Sequence, residues 1–170
     1  NTKMIKHLVT TLTLLLLSQN VFADCESKYF KGVPNSSIEL RKLCRKEYSV
    51  LYSDHCKIPY VVAEHLKSSE IGGTGQRQKS FKEDEEIPDL FRATLSDYSG
   101  RRQKKIDIGH MAPAANFTTD KETMEESFLL SNTVPQYEKM NRGVWKMLEM
   151  RVRALSQKYG EVYVLTGVLV

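Results

Sequence analysis

One histidine of the sequence has neighbours that would suit a catalytic base. His110 stands in KKIDIGHMAPAANF, residues 104–117, behind an aspartate and a basic cluster and ahead of a run of small residues. Because an unperturbed histidine has a pKa of about 6.5, its neutral form is a suitable base at neutral pH. A histidine next to a glycine is also common in turns and cores, so this stretch alone leaves a catalytic and a structural interpretation open.

Polar residues downstream lie on the clearest helical pattern of the chain, residues 140–157. The predicted core-facing stripe, with Asn141 at its head, consists of Trp145, Leu148, Val152 and Leu155. Glu149 and Arg153 are i, i+4 neighbours beside that stripe. Each has a structural alternative, because Asn141 could cap the helix and the other two could form a surface ion pair.

Together these residue types fit the hydrolysis of a phosphodiester. Such an anion resists nucleophilic attack, so cleavage needs a base for water, a cation on the phosphate and a stabilised leaving oxygen. His110 could supply the base, and the amide oxygen of Asn141 could hold Mg²⁺. Glu149 could orient the surrounding waters, and Arg153 could bind the phosphate.

The elements that would position these residues follow from the apolar pattern. β-branched and apolar residues predict strands at residues 58–66, 127–135 and 161–170. Residues 38–52 have the spacing of a modestly amphipathic helix. The sequence therefore mixes helices with strands.

A polar, glycine-containing loop is expected at residues 67–86, and the structure of residues 87–98 stays open. The last predicted strand runs to the end of the sequence. Because an unpaired apolar strand invites aggregation, we expect the sequence to be a fragment. About 50 further residues would complete a mixed sheet of ordinary size.

The composition indicates one soluble globular domain. The chain has 170 residues, of which 41% are hydrophobic and 27% charged, which disfavours disorder and a coiled coil. The formal net charge is +4, so only the local distribution of charge can indicate a nucleic-acid partner.

Residues 1–23 have the pattern of a secretory signal peptide. A basic start precedes an apolar core at residues 8–17, and Val-Phe-Ala ends at Ala23. This core is shorter than the ~20 residues that cross a bilayer. We therefore expect cleavage after Ala23, a secreted or periplasmic protein, and no stable membrane association.

An exported protein with three cysteines is expected to contain one disulfide and one leftover thiol. We predict the pair Cys25–Cys44, with Cys56 free or paired to a partner. A zinc site is the alternative, but the chain has neither Cys-x-x-Cys nor His-Glu-x-x-His spacing.

Three ordered motifs resemble the sugar-non-specific DNA/RNA endonucleases of the ββα-metal group. They are DIGH at 107–110, LSNTVPQ at 130–136 and NRGVWKMLE at 141–149, and the resemblance covers roughly residues 50–170. It implies an α+β, ββα-metal nuclease fold, with a mixed or antiparallel central sheet flanked by helices and its C-terminal part missing. The implied nuclease domain is 58–170, preceded by a helical, disulfide-tied extension at 24–57.

The resemblance also implies roles for single residues. His110 would be the general base, Asn141 the direct ligand of Mg²⁺ or Mn²⁺, and Glu149 the residue that positions metal-bound water. Arg153 would contact the phosphate, and Asn132, grouped with these catalytic residues, would support the loop.

Two further roles concern neighbouring positions. Asp107 would orient the catalytic turn or cap its backbone. Trp145 and Leu148 would lie in the core.

One position departs from the family pattern, because Ile108 stands where the family carries arginine. Other cations could replace it in binding the nucleic-acid backbone without reading sequence. The candidate substrate-binding residues are Arg77, Lys79, Arg101, Arg102 and Lys105, with Lys104 beside them.

The signal-peptide pattern and the resemblance together predict an exported, Mg²⁺-dependent endonuclease that cleaves DNA and RNA with little base preference. Water would be the nucleophile, and the products would carry 5′-phosphates without a covalent intermediate. The alternative is a weak or inactive nuclease-like module that binds nucleic acid or only folds. His110, Asn141 and Glu149 together favour the enzyme, whereas Ile108 and the abrupt end favour the module; a homodimer is left open.

Overall fold

A computed structural model describes residues 24–169, so the predicted signal peptide lies outside the described part. The six strands in this part are β1 (Arg41–Cys44), β2 (Tyr48–Ser53), β3 (Ile58–Lys67), β4 (Ile106–His110), β5 (Thr133–Tyr137) and β6 (Glu161–Gly167). The main helices are α1 (Asp24–Ser27), α2 (Lys121–Ser127) and α3 (Lys146–Tyr159). Within residues 24–169, no helix is long and apolar enough to cross a membrane.

A four-stranded antiparallel sheet forms the base of the molecule, in the order β1-β2-β3-β6. β2 is buried along its whole length because both faces of the sheet are covered. One face packs on the main apolar cluster, which includes Tyr48, Val62, Met111 and Phe117. On the other face, Tyr29 packs with Leu51 and Ala63. The strands at 58–66 and 161–170 are thus confirmed, with small differences at their ends.

The helix predicted at residues 38–52 is wrong, because these residues form β1 and β2. The apolar spacing fitted a helix, but Tyr48, Val50 and Tyr52 alternate toward one cluster as strand residues do. The segment 24–57 is therefore not a helical extension, and its two strands join the same sheet as β3. The predicted disulfide Cys25–Cys44 is present and ties α1 to β1, while Cys56 is free and exposed.

A second, two-stranded antiparallel sheet pairs β4 with β5. The strand predicted at 127–135 is only partly right: Ser127 ends α2, and a 3₁₀ turn, Leu130–Asn132, precedes β5. β5 leads into a helical turn, Glu138–Met140, and a π-turn, Asn141–Trp145, before α3 begins. The backbone at Gly143 is not helical, so the axis is kinked between Asn141 and α3.

The predicted burial of the helix stripe is wrong for Leu148, whose side chain is 53% exposed. Trp145, Val152 and Leu155 are only half-buried. Ser156 is the fully buried residue of α3, and its hydroxyl donates to the carbonyl of Leu66 on β3 at 3.0 Å. The apolar stripe of α3 is therefore less buried than expected, and Ser156 makes its closest-packed contact with β3.

Candidate active-site cleft

A cleft of about 840 Å³ opens between β4, the loop after it and the start of α3. Of the residues that sequence reasoning singled out, it brings together His110, Asn141, Glu149, Arg153, Arg77, Arg101 and Arg102. The lining does not include Lys79, Lys105 or Asn132. Residues separated widely in sequence thus share one surface.

β4 places the histidine at the end of a tightly packed strand. Alternation along the strand points Ile108 and His110 to one face and Gly109 to the other. A Cβ at Gly109 would lie 2.0 Å from Oε1 of Gln136, which is itself buried on β5. The glycine allows β5 to approach closely, so the position of His110 is fixed by strand pairing.

His110 is 8% exposed and is packed between two aromatic rings. Its ring centroid is 5.0 Å from that of Phe81 and 4.9 Å from that of Phe128. Burial, together with the smaller effect of the nearby charge of Arg77, lowers the pKa of His110 to about 3. Within residues 24–169, Nε2 has no hydrogen-bond partner. The imidazole is therefore neutral at physiological pH and has a nitrogen free to take up a proton.

Asn132 supports the loop after His110 from beneath. It is fully buried, its Oδ1 accepts from the N–H of Ala112 at 2.9 Å, and its Nδ2 donates to the carbonyls of Ala112 and Ser127, each at 2.9 Å. The amide is used by backbone groups, so Asn132 acts on the cleft through the loop. A direct catalytic contact stays a prediction that its position does not favour.

Asp107 holds the side chain that was predicted to bind metal. Its carboxylate accepts from Nδ2 of Asn141 at 2.9 Å and from Nε and Nη2 of Arg142 at 3.0 and 2.9 Å. These contacts lower the pKa of Asp107, with the hydrogen bond from Arg142 as the main cause. Because Nδ2 of Asn141 is held by a carboxylate, the amide oxygen is the atom left for another ligand.

Sequence reasoning did not identify Arg142 as part of the site. Its guanidinium also donates to Glu138 at 2.8 Å, so two carboxylates hold it. The Glu138–Arg142 contact has i, i+4 spacing and could have been found from sequence. The contact with Asp107 joins residues 35 positions apart and leaves no local signal.

Glu149 and Arg153 project from α3 into the cleft. Burial raises the pKa of Glu149, while the charges of Arg153, Arg77 and Lys146 act against that rise. Arg153 donates from Nη1 to Oδ1 of Asn116 at 3.1 Å. Asn116 is buried and belongs to the same stretch as His110, residues 104–117, but its spacing gives no sign of this contact.

The candidate substrate-binding cations are divided by the fold. Arg77 places its guanidinium 5.1 Å from the ring centroid of Phe128, beside the catalytic histidine candidate. Arg101 and Arg102 lie in the turn before β4 and face the same cleft. Lys79 and Lys105 are exposed but do not line the cleft.

Ile108 lies on the cleft side of β4 and is 9% exposed. It packs with Ala93 and Leu130 in a small apolar cluster that Phe81 and Tyr98 border. The position therefore contributes apolar packing where the family pattern has a cation.

The donor atoms in the cleft suit a hard cation. They include the amide oxygen of Asn141 and the carboxylate of Glu149. Mg²⁺ prefers oxygen ligands and keeps several of its waters, so it needs few protein ligands. In the described part of the chain, no three His, Cys, Asp or Glu side chains cluster to hold a metal. The arrangement thus fits Mg²⁺ or Mn²⁺ held by few side chains.

Comparison with known proteins identifies the family. The DNA/RNA non-specific endonuclease family matches residues 26–170. Nuclease C1 of Cunninghamella echinulata var. echinulata is 38% identical over 129 residues, covering 74% of this chain and 50% of that protein. The mitochondrial nuclease EXOG of Homo sapiens is 37% identical over 139 residues, covering 81% of this chain and 36% of that protein. This chain therefore spans half or less of these relatives.

A solved structure agrees with the sequence relatives. EndoG in the EndoG/EndoGI complex superposes with a TM-score of 0.73 at 33% sequence identity, covering 86% of this chain and 58% of that chain. The predicted α+β, ββα-metal nuclease fold is confirmed by this likeness. The chain belongs to the DNA/RNA non-specific endonuclease family.

Proposed function

We propose that the protein hydrolyses phosphodiester bonds of DNA and RNA with the help of Mg²⁺ or Mn²⁺. The observation that carries this proposal is the buried, neutral His110, which lines a cleft with Asn141, Glu149 and Arg153 and whose Nε2 has no hydrogen-bond partner within residues 24–169. A neutral base, oxygen ligands for a hard cation and an arginine for the phosphate are the groups that this reaction needs. The family membership supports the same reaction.

In this mechanism, His110 accepts a proton from the water that attacks phosphorus. Asn141 would hold the divalent ion and Glu149 would position water bound to it; the ion would stabilise negative charge on the phosphate and on the leaving oxygen. Arg153 binds a non-bridging phosphate oxygen. Water as the nucleophile requires no covalent intermediate, and the family resemblance implies 5′-phosphate products.

The cleft carries positively charged side chains that suit phosphate groups and not the edges of particular bases. Arg77, Arg101 and Arg102 lie along it and suit the phosphate backbone common to DNA and RNA. Phosphate contacts position a nucleic acid without reading its sequence, which fits cleavage with little base preference. These cations also supply positive charge that Ile108 does not, a loss worth about 2 to 4 kcal/mol if uncompensated.

We further propose that the protein is exported. A disulfide between Cys25 and Cys44 suits an oxidising compartment, and residues 1–23 have the pattern of a cleaved signal. Some relatives carry "mitochondrial" in their names, so a mitochondrial location is the alternative. Fractionation of the native host, followed by immunoblotting, distinguishes the two.

The competing function is a nuclease-like module that binds nucleic acid without efficient cleavage. Two observations favour it. Ile108 in the cleft replaces a cation of the family pattern. The exposed Leu148 marks an apolar face of α3 that residues 24–169 do not cover. The retained set of His110, Asn141 and Glu149 favours the enzyme.

The test uses the purified mature chain with plasmid DNA and with RNA, in Mg²⁺ and in excess EDTA. We expect both polymers to be degraded in Mg²⁺ only, and His110→Ala to lower the rate by about 10² to 10⁴. Binding without degradation under any condition would establish the module instead. Undiminished activity of His110→Ala would exclude it as the base.

A further inference from the structure

A row of hydrogen-bonded side chains runs from the cleft into the sheet. Arg153 on α3 donates from Nη1 to Oδ1 of Asn116 at 3.1 Å. Asn116, in the 3₁₀ turn Ala114–Asn116, donates from Nδ2 to Oε2 of Glu64 at 2.7 Å. The row thus links the cleft surface to the centre of β3, across elements far apart in sequence.

Glu64 occupies a place where an apolar residue is expected. It lies between Val62 and Leu66 on the inward face of β3, opposite Tyr48 on β2 and Val164 on β6, and is 1% exposed. Burial of a carboxyl group is unfavourable unless hydrogen bonds offset it. Burial raises the pKa of Glu64 to about 8, with the Asn116 hydrogen bond acting in the opposite direction.

The hydrogen-bonding capacities of the three groups fix the direction of the row. A guanidinium only donates, so the amide of Asn116 must turn its oxygen toward Arg153. The amide nitrogen then faces the interior and needs a buried acceptor, which Glu64 provides. Removing either Asn116 or the acceptor oxygen of Glu64 leaves a buried polar group without its partner.

Within residues 24–169, the guanidinium of Arg153 is held by this row and forms no ion pair. Arg142 is also fixed in the cleft, but by the carboxylates of Asp107 and Glu138, which offset its charge. Arg153 is held instead by a neutral amide oxygen. The nearby carboxylate of Glu149 interacts with its charge without hydrogen-bonding to it, so the guanidinium can still bind an anion in the cleft. Its long side chain, already held by Asn116, loses little further freedom on binding.

We propose that Asn116 and Glu64 are positioning residues that hold Arg153 ready to bind the scissile phosphate. This inference rests on the proposed function, because it assumes a phosphodiester in the cleft. It differs from a purely structural role in one respect: the contribution of Asn116 to activity passes through Arg153.

A double-mutant cycle tests that dependence. We expect Asn116→Ala to lower kcat/KM about tenfold in Mg²⁺. In the Arg153→Ala background, the same change should alter kcat/KM less than twofold, because the group being positioned is gone. Losses that multiply independently would overturn the proposal.

Two substitutions of Glu64 separate positioning from folding. Glu64→Gln keeps an acceptor oxygen, so its kcat/KM should stay within about twofold of the wild-type value. Glu64→Leu has no acceptor, so its kcat/KM should fall by as much as that of Asn116→Ala. Ser156→Ala is the matched control, since it removes another buried hydrogen bond between α3 and β3 outside the row. Thermal unfolding of every variant identifies losses of folded protein. Equal activity losses in Ser156→Ala and Asn116→Ala at equal stability would overturn the proposal.

Binding without cleavage keeps the two proposals distinguishable. The dissociation constant of a fluorescent single-stranded oligonucleotide in EDTA should rise with Asn116→Ala, but not in the Arg153→Ala background. If the chain binds in this pattern yet never cleaves, the hydrolytic function fails and the positioning role stands. If the chain neither binds nor cleaves, both fail.

Discussion

At the scale of single residues, Asn132 and Asn141 use their side-chain amides differently. Asn132 gives its whole amide to backbone groups of the loop after His110. Asn141 uses only its amide nitrogen, on Asp107, and keeps its oxygen for a ligand. The same residue type thus serves as a support in one place and as a candidate metal ligand in the other, because of the partners that surround it.

This difference predicts a metal phenotype for a residue that would not touch the metal. Asp107→Ala should raise the Mg²⁺ concentration for half-maximal cleavage by about tenfold or more, because the amide of Asn141 loses its orientation. Titration of initial rates with MgCl₂ measures the effect.

Glu138→Ala is the control for that prediction. It frees Arg142 from one carboxylate but leaves the Asn141–Asp107 hydrogen bond intact, so the Mg²⁺ requirement should change less than twofold. Equal shifts in both variants would mean that Asp107 acts only through Arg142.

Sequence patterns identify the site residues that belong to short motifs and miss those whose partners lie far away along the chain. His110, Asn141, Glu149 and Arg153 belong to compact motifs, and the fold brings them to one cleft. Asn116 and Glu64 meet across 52 positions, so neither has a local signal. Only the packing of the loop after β4 against β3 brings them together.

At the scale of elements, a loop clamp places Arg77 beside His110. Gly75 donates its N–H to the carbonyl of Thr118 at 2.8 Å, and Gly73 donates to the hydroxyl of the same residue at 2.9 Å. A Cβ at Gly73 would lie 2.3 Å from the carbonyl oxygen of Thr118. The loop can lie this close only because position 73 has no side chain.

Gly73→Ala should therefore displace the loop and with it Arg77. A backbone oxygen cannot move aside as a flexible side chain can, and a shift of about 1 Å near reacting groups can cost up to about 10² in rate. We expect kcat/KM to fall by at least as much as in Arg77→Ala, with faster tryptic cleavage after Arg77. Thr74→Ala, at the exposed position between the two glycines, should match the wild type in both assays. Unchanged proteolysis of Gly73→Ala would show that the clamp tolerates a methyl group.

Elements differ in how well the sequence predicted them, for physical reasons. β6 and β3 were found because runs of β-branched residues favour strands locally. The sequence predicts a helix where β1 and β2 form, because both faces of β2 are buried and the polar-apolar alternation that distinguishes a strand is missing. Both helical periodicity and the family resemblance predict that Leu148 is buried, but it is exposed, and α3 meets β3 through Ser156.

At the scale of the whole molecule, buried charged side chains connect segments that no strand pairing connects. Arg45, in the turn between β1 and β2, is buried and forms ion pairs with Asp84 and Glu86. Asp84 also accepts a hydrogen bond from Ser131, next to the loop support Asn132. The sheet is thereby connected to the segment beneath the cleft, so folding and the geometry of the site are coupled.

Two buried titratable groups predict how the free energy of unfolding varies with pH. Glu64 has a pKa of about 8 against an ordinary value of 4.5, so the folded state binds more protons than the unfolded state in that window, and stability falls as pH rises. His110 has a pKa of about 3 against 6.5, so the folded state binds fewer protons there, and stability rises with pH. The two effects oppose each other between pH 4.5 and 6.5.

Above pH 6.5 the effect of His110 fades while that of Glu64 persists, which makes pH 6.5 to 8 the informative window. In it, the free energy of unfolding should fall by about 1.4 kcal/mol per pH unit because of this carboxyl group. Urea unfolding of the wild type and of Glu64→Gln at several pH values measures the slope. Glu64→Gln cannot ionise but keeps the acceptor for Asn116, so its free energy of unfolding should vary less steeply with pH, by the slope assigned to Glu64. Parallel curves for the two proteins would mean that the buried carboxyl group keeps an ordinary pKa. A flatter curve would establish that the sheet carries a largely protonated carboxyl group behind the cleft at neutral pH, so that Glu64 does not offset the charge of Arg153.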